Sequence, residues 1–188
     1  MESKFTKSKK NKETENQGLA LLLADPRFQR VDLKTKRRIL ELVHERIGTT
    51  GTYGTRTFDL VMTPAPVPAI TVDNVDGYFD EIRLVEMKTT RDSIRDESLS
   101  GFFFGATERE YMMASALKDR YLFAFVVLSA DNEYGRPFAV LLTINEVEGR
   151  TKTQRTQFQV NLRTDLVADA GQAGRAHVIL GPVTNAEE

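Results

Sequence analysis

Residues 81–90 read Glu81-Ile82-Arg83-Leu84-Val85-Glu86-Met87-Lys88-Thr89-Thr90. The segment has the alternation of a half-buried β-strand, and it ends with a carboxylate and an ammonium group two positions apart. Since successive side chains of a strand point to opposite faces, Glu86 and Lys88 are predicted to emerge on the same side. A carboxylate can bind a divalent cation, and a neighbouring ammonium can meet a phosphate. The pair therefore suits phosphodiester hydrolysis.

The composition is that of an ordinary globular domain. The chain has 188 residues, of which 40% are hydrophobic and 28% charged, enough for one domain with a substantial core. A net charge of −1 neither indicates nor excludes nucleic-acid binding, because a local basic patch suffices. The absence of cysteine excludes disulfides and thiolate metal sites. No apolar run is long enough to cross a bilayer, and a cytoplasmic location is expected.

The chain is predicted to divide into a tail and one domain. Residues 1–17 are polar and lysine-rich, so we expect a disordered basic tail there. A single domain is expected over residues 18–188, beginning with a short helix at Leu19–Ala24.

Capping signals and apolar periodicity predict the elements of the domain. Asp32 and Gly48 bracket a helix over 33–47, and Thr107 with Glu110 has the spacing of a capping box that opens a second helix. Asp76-Gly77 predicts a turn. Strands are predicted at 56–62, 81–90, 101–105, 121–129 and 138–144, with weaker ones at 157–162 and 176–180. This order indicates an α/β domain with a mixed central sheet flanked by helices.

A metal site needs a second hard oxygen ligand. Asp59 lies inside the strand predicted at 56–62, where burying an unpaired carboxylate would cost free energy. A metal ion or an arginine such as Arg56 would offset that cost. The competing acids Asp73, Asp76 and Asp80 are closer to Glu86 in sequence but fit turn positions better.

The ordered pattern resembles the PD-(D/E)XK restriction-endonuclease-like superfamily, and within it Mrr-like nucleases and the domain named after the NO VEIN protein C-terminus. In such proteins a helix and a Gly-rich loop are followed by a strand with an aromatic-Asp-aliphatic motif and then by a strand that carries Glu-x-Lys. A second helix and a late apolar strand come after these. This chain has helix 33–47, Phe58-Asp59-Leu60, then Val85 to Thr90, and then 102–114 and 121–128. The resemblance covers a core of residues 33–145 and departs from the pattern in a proline-containing insertion between Asp59 and Glu86.

The resemblance implies a restriction-endonuclease-like fold and a Mg²⁺-dependent endonuclease, with DNA as the expected substrate, acting in restriction, defence or repair. Asp59, Glu86 and the Met87 carbonyl would bind magnesium. Lys88 would position or deprotonate the attacking water and stabilise charge on the phosphate. Many nucleases of this fold dimerise, so a homodimer is also expected.

Two rival hypotheses remain open: a catalytically inactive module of the same fold that binds nucleic acid or protein, and a nuclease directed at RNA. Basic residues between 27 and 38, Lys36 among them, fit either phosphate contacts or a solvated helix face. Glu41 and Glu45 are weaker candidates for an outer carboxylate, with exposed helix positions the favoured interpretation. The separated histidines His44 and His177 fit structural roles better than a metal site.

Overall fold

The computed structural model describes residues 4–49 and 51–151. Helices and strands are interspersed along this part of the chain, with its last two strands the one pair that follow each other directly. In chain order they are α1 Lys4–Leu23, β1 Phe28–Gln29, α2 Leu33–Leu42, β2 Leu60–Met62, α3 Val75–Tyr78, β3 Arg83–Thr90, α4 Glu108–Leu117, β4 Tyr121–Val127, β5 Phe138–Leu142 and α5 Ile144–Arg150. A π-helical turn at Val43–Ile47 extends α2, and a 3₁₀ turn at Lys118–Arg120 follows α4.

The strands form one five-stranded mixed sheet in the order β1-β2-β3-β4-β5. The β1–β2, β2–β3 and β4–β5 pairs are antiparallel, whereas β3 and β4 are parallel. A parallel pair needs a crossover connection, and the segment containing α4 supplies it. This confirms the predicted α/β class with a mixed sheet flanked by helices.

Each face of the sheet carries its own apolar core. On one face, side chains of β3 and β4 such as Leu84 and Phe123 pack with residues of α2, α4 and α5. On the other face, Val85 and Leu122 pack with Leu22 of α1. Both faces of β4 are buried, as expected for a strand with a parallel neighbour and helices on either side.

The capping predictions are confirmed. The Asp32 side chain accepts a hydrogen bond from the Thr35 amide at 2.7 Å, and Gly48 ends the π-helical turn with a φ of +71°. Thr107 and Glu110 form the predicted capping box at the start of α4. These signals succeed because they are local: the side chain satisfies amides within one turn of itself.

The prediction of disorder for the first 17 residues differs from the structure, in which α1 begins at Lys4. Contacts distant in sequence hold the later turns of this helix. Arg91 donates hydrogen bonds to Thr14 and Gln17, and Gly18 lies directly against Thr89. Polar composition alone therefore missed a helix whose partners lie at the end of β3.

Three further differences concern local elements. The strand predicted at 56–62 is paired only over Leu60–Met62. The strand predicted at 101–105 is wrong, because this segment is a loop. The turn predicted at Asp76-Gly77 lies within the short helix α3.

The strands predicted at 157–162 and 176–180 lie outside the described residues. The same is true of the end of the single domain predicted over 18–188, so its full extent stays a prediction. Among the helices described, none has the length and apolarity to cross a membrane.

Candidate functional site

Glu86 and Lys88 lie on the same face of β3, as the alternation predicted. Their neighbours Val85 and Met87 pack on the opposite face, against the core that contains Leu22. The Lys88 Nζ atom donates a hydrogen bond to Glu86 Oε1 at 2.7 Å. Both side chains are largely buried, with exposed fractions of 13% for Lys88 and 8% for Glu86. This contact is therefore fixed by packing and is shielded from solvent.

Glu110 joins the pair from α4, and sequence reasoning predicted it only as a helix cap. Lys88 Nζ donates a second hydrogen bond to Glu110 Oε2 at 2.9 Å. The same oxygen accepts the Thr107 amide at 3.0 Å, so the capping box holds the Glu110 carboxylate in place. The spacing Thr107-x-x-Glu110 signalled the helix start, but only the packing of α4 over β3 shows what else the carboxylate contacts.

Asp59 lies beside the Glu86–Lys88 segment, one residue before β2. Its amide donates to the Val85 carbonyl at 2.8 Å, and its Oδ2 atom accepts the Met87 amide at 2.9 Å. The Met87 amide lies between Glu86 and Lys88 in the chain, so this bond brings the Asp59 carboxylate to the same end of the site. Asp59 is half-buried rather than fully buried.

The competing aspartates make different contacts. Asp76 forms an ion pair with Arg38 at 2.5 Å, and Asp80 lies 3.6 Å from Arg46. Asp73 is exposed. The contacts of Asp59 with β3 therefore favour it as the second acidic residue.

Glu86 is the electrostatically perturbed group of the site. Burial, the Asp59 charge and the Glu110 charge raise its pKa to about 8, against the opposing effect of Lys88. Its Oε2 atom is buried and has no hydrogen-bond partner among the described residues. A buried carboxylate oxygen normally has a partner, so this atom is an exception among the buried side-chain polar atoms of the described residues.

The pKa values of the two lysines of the site shift in opposite directions. Burial acts to lower the pKa of Lys88, but Glu86 and Glu110 outweigh it, and the net shift is upward. Burial lowers the pKa of Lys36, and the Asp59 and Glu86 charges offset only part of that effect.

Lys36 is the other residue that sequence reasoning did not assign to the site. It reaches from α2 to donate to the Phe58 carbonyl at 2.5 Å and the Thr55 carbonyl at 3.3 Å. Its ammonium also lies 4.7 Å from the centre of the Phe58 ring. Lys36 thus fixes the backbone immediately before Asp59 and adds a second positive charge near the carboxylates.

The donor set suits a hard cation with few protein ligands. Within the described ranges, no group of three or more Asp, Glu, His or Cys residues is arranged to hold a metal. Magnesium, however, commonly keeps several waters and uses one or two carboxylates. Asp59 and Glu86 are two carboxylates that could serve in this way, and Glu86 Oε2 has no competing hydrogen-bond partner among the described residues.

The weaker candidates from the sequence lie elsewhere. Glu41 and Glu45 are exposed and form ion pairs with Arg38, and the His44 ring contacts the Thr49 carbonyl. His177 lies outside the described residues. Comparison with known proteins adds no assignment, since no family model, no curated protein and no solved structure matches the chain.

Proposed function

We propose that this protein is a metal-dependent nuclease of the PD-(D/E)XK class that hydrolyses phosphodiester bonds, with Mg²⁺ as cofactor and DNA as substrate. The observation that carries the proposal is the buried Glu86 carboxyl group. One of its oxygens accepts a hydrogen bond from Lys88, the other has no partner among the described residues, and burial and the nearby Asp59 charge raise its pKa. Strongly perturbed carboxylates with a specific charge partner are concentrated at functional sites.

The chain's own residues have separable roles in this reaction. Asp59 and Glu86 would hold the magnesium ion, which when bound supplies Lewis acidity and lowers the pKa of a water. Lys88 places a positive charge where the phosphate gains negative charge. Glu110 accepts a hydrogen bond from Lys88 independently of Glu86, so it would keep the ammonium group oriented if Glu86 bound the cation.

The strand order supports the assignment to this class. The resemblance expects an aspartate strand beside the Glu-x-Lys strand, followed by a helix and an apolar strand. Here β2 is antiparallel to β3, and β4, which follows α4, is parallel to β3 over its full length. Asp59, Glu86 and Lys88 thereby come from neighbouring segments at the centre of the sheet.

The proposal is tested by cleavage of supercoiled plasmid DNA with and without Mg²⁺. We expect magnesium-dependent cleavage by the wild type and its loss in Glu86→Gln, Lys88→Met and Asp59→Asn. The matched control is Asp76→Asn, which removes an exposed aspartate that is paired with Arg38 and should cleave normally. Equal cleavage by the control and the Asp59 variant would contradict the assignment of Asp59. RNA of the same sequence, offered in parallel, separates the two nuclease hypotheses.

A second candidate function is an inactive module of the same fold that binds DNA. The observation that favours it is the double pairing of Lys88 with Glu86 and Glu110, because a buried ion-pair network can also be purely structural. A wild-type protein that binds DNA but cuts neither DNA nor RNA with any divalent ion would establish this module instead of the nuclease.

A further inference from the structure

An aromatic loop, residues 101–105, crosses the sheet face beside Lys88. The ring of Phe102 meets that of Phe125 edge-on at a centroid distance of 5.1 Å, and Phe104 meets the same ring at 4.9 Å. In the parallel register of β3 and β4, Phe125 is the partner of Lys88. The loop is therefore anchored on the residue next to the candidate catalytic lysine.

Between the two anchors, Phe103 points away from the sheet. It is 82% exposed, the largest value among the large apolar side chains of the described residues. The turn that leads into the loop fixes its path: Gly101 has a φ of +86°, and the Phe102 amide donates to Leu99 at 2.9 Å. Phe103 is thus exposed on a segment whose position is fixed by the ring contacts of Phe102 before it and Phe104 after it.

We propose that Phe103 is a stacking platform for an unpaired base of a nucleic-acid strand whose backbone lies at Lys88. The inference rests on the proposed nuclease function and adds a base-binding subsite to it. Aromatic side chains stack on nucleobases with little regard to sequence, because every base has a π-face. The expected ligand is single-stranded, or is locally opened by the ring.

The helix that follows this loop carries an exposed positive charge. Arg109 is exposed on the first turn of α4, and its Nη1 atom lies 4.0 Å from the position that a Cβ on Gly54 would take. The guanidinium group therefore spans from α4 toward the Gly-rich loop that leads to Asp59. A positive charge in this position suits the phosphates of the strand whose base stacks on Phe103.

The surroundings of Phe103 favour a base over a protein partner. The flanking rings are half-buried, and the following residues Gly105 to Arg109 are exposed and mostly small or polar. A stable protein interface buries about 800 Å² per partner around an apolar centre. One ring in a polar setting offers much less than that, but it matches the face of a single base.

The test measures binding of fluorescein-labelled single-stranded DNA of about 12 nucleotides to the full chain in EDTA, so that cleavage plays no part. Phe103→Leu keeps an exposed apolar side chain but removes the ring, and Phe103→Tyr keeps the ring. Val72→Ala is the control, because Val72 is also an exposed apolar residue, at 41%. We expect Kd to rise roughly 5- to 100-fold in the leucine variant and to stay unchanged in the tyrosine variant and the control.

A second measurement places 2-aminopurine in the oligonucleotide, where stacking on Phe103 quenches its fluorescence. Quenching should persist in Phe103→Tyr and disappear in Phe103→Leu. Wild-type binding with an unaffected leucine variant overturns the stacking site while leaving the nuclease proposal intact. Cleavage that fails although Phe103-dependent binding is present overturns the nuclease alone. If the leucine variant changes the sedimentation coefficient instead of DNA affinity, Phe103 is a protein contact and the inference is wrong.

Discussion

Replacing Glu86 by glutamine should stabilise the metal-free protein at alkaline pH. The pKa of this carboxyl is about 8 in the folded chain, against an ordinary value of 4.5, chiefly because burial penalises the charged form. Ionisation is therefore easier in the unfolded chain. The neutral form's contribution to stability is fully present below about pH 4.5 and is lost as the pH rises toward about 8. Glutamine has nearly the same shape and cannot ionise.

The size of the effect follows from that difference in pKa. Each pH unit between the two pKa values removes about 1.4 kcal/mol from the free energy of unfolding of the wild type. Partial relaxation around the carboxylate, and the remaining attraction of Lys88, reduce the total. Between about pH 5 and about pH 8.5 we expect the difference in unfolding free energy to move in favour of Glu86→Gln by about 2–4 kcal/mol.

Urea unfolding followed by circular dichroism at both pH values, in EDTA, measures this difference. The control is Glu81→Gln, which replaces an exposed glutamate just before β3 and should show the same difference at both pH values. A Glu86→Gln variant that loses stability relative to wild type as the pH rises would refute the reasoning. It would mean that the ion pair with Lys88 outweighs the desolvation of the carboxylate.

Three other substitutions test separate parts of the structure. Gly18→Ala should destabilise the protein by about 1 kcal/mol in thermal unfolding, because overpacking outweighs the gain in helix propensity. The new Cβ would lie 2.4 Å from the Thr89 methyl group. An unchanged Tm would show that this contact relaxes freely. Asp32→Ala removes the cap of α2 and should cost about 1 kcal/mol in urea unfolding, and an unchanged unfolding midpoint would contradict its capping role. Glu110→Gln keeps an acceptor for the capping hydrogen bond but removes the negative charge beside Lys88. DNA cleavage should therefore slow by about tenfold or more, with DNA binding little changed. Equal losses of cleavage and of DNA binding would show that Glu110 has a structural role.

Local chemistry explains which elements could be predicted from the sequence. Asp32, Gly48 and Thr107 each act within one turn of themselves, and the structure confirms all three caps. The strands β3, β4 and β5 were predicted from their apolar patterns, with ends that differ by a few residues. β4 is buried along its whole length, and β3 and β5 are at least partly buried at nearly every position, so their apolar patterns suffice.

Tertiary contacts explain the failures. The aromatic loop has the composition of a buried strand, but its rings at 102 and 104 are satisfied by Phe125 without any strand partner. Helix α1 has a polar sequence that predicts disorder, yet contacts with Arg91 and Thr89 hold its later turns. In both cases the contacting residues are distant in sequence from the segment that they hold.

The candidate site divides in the same way. Glu86 and Lys88 could be predicted to share a face because strand alternation is a local rule. Glu110 and Lys36 could not be assigned, because their proximity depends on how α4 and α2 pack over the sheet. A capping glutamate and a basic helix residue are too common to be singled out by pattern alone.

The parallel pairing of β3 with β4 makes the candidate site depend on a single alignment of two strands. A shift of β3 by one position would place Met87 on the face that packs against α4. It would also move Glu86 and Lys88 to the opposite face, into the apolar core that contains Leu22 of α1. The sheet could keep its hydrogen bonds after such a slip, but the protein would have no site at all.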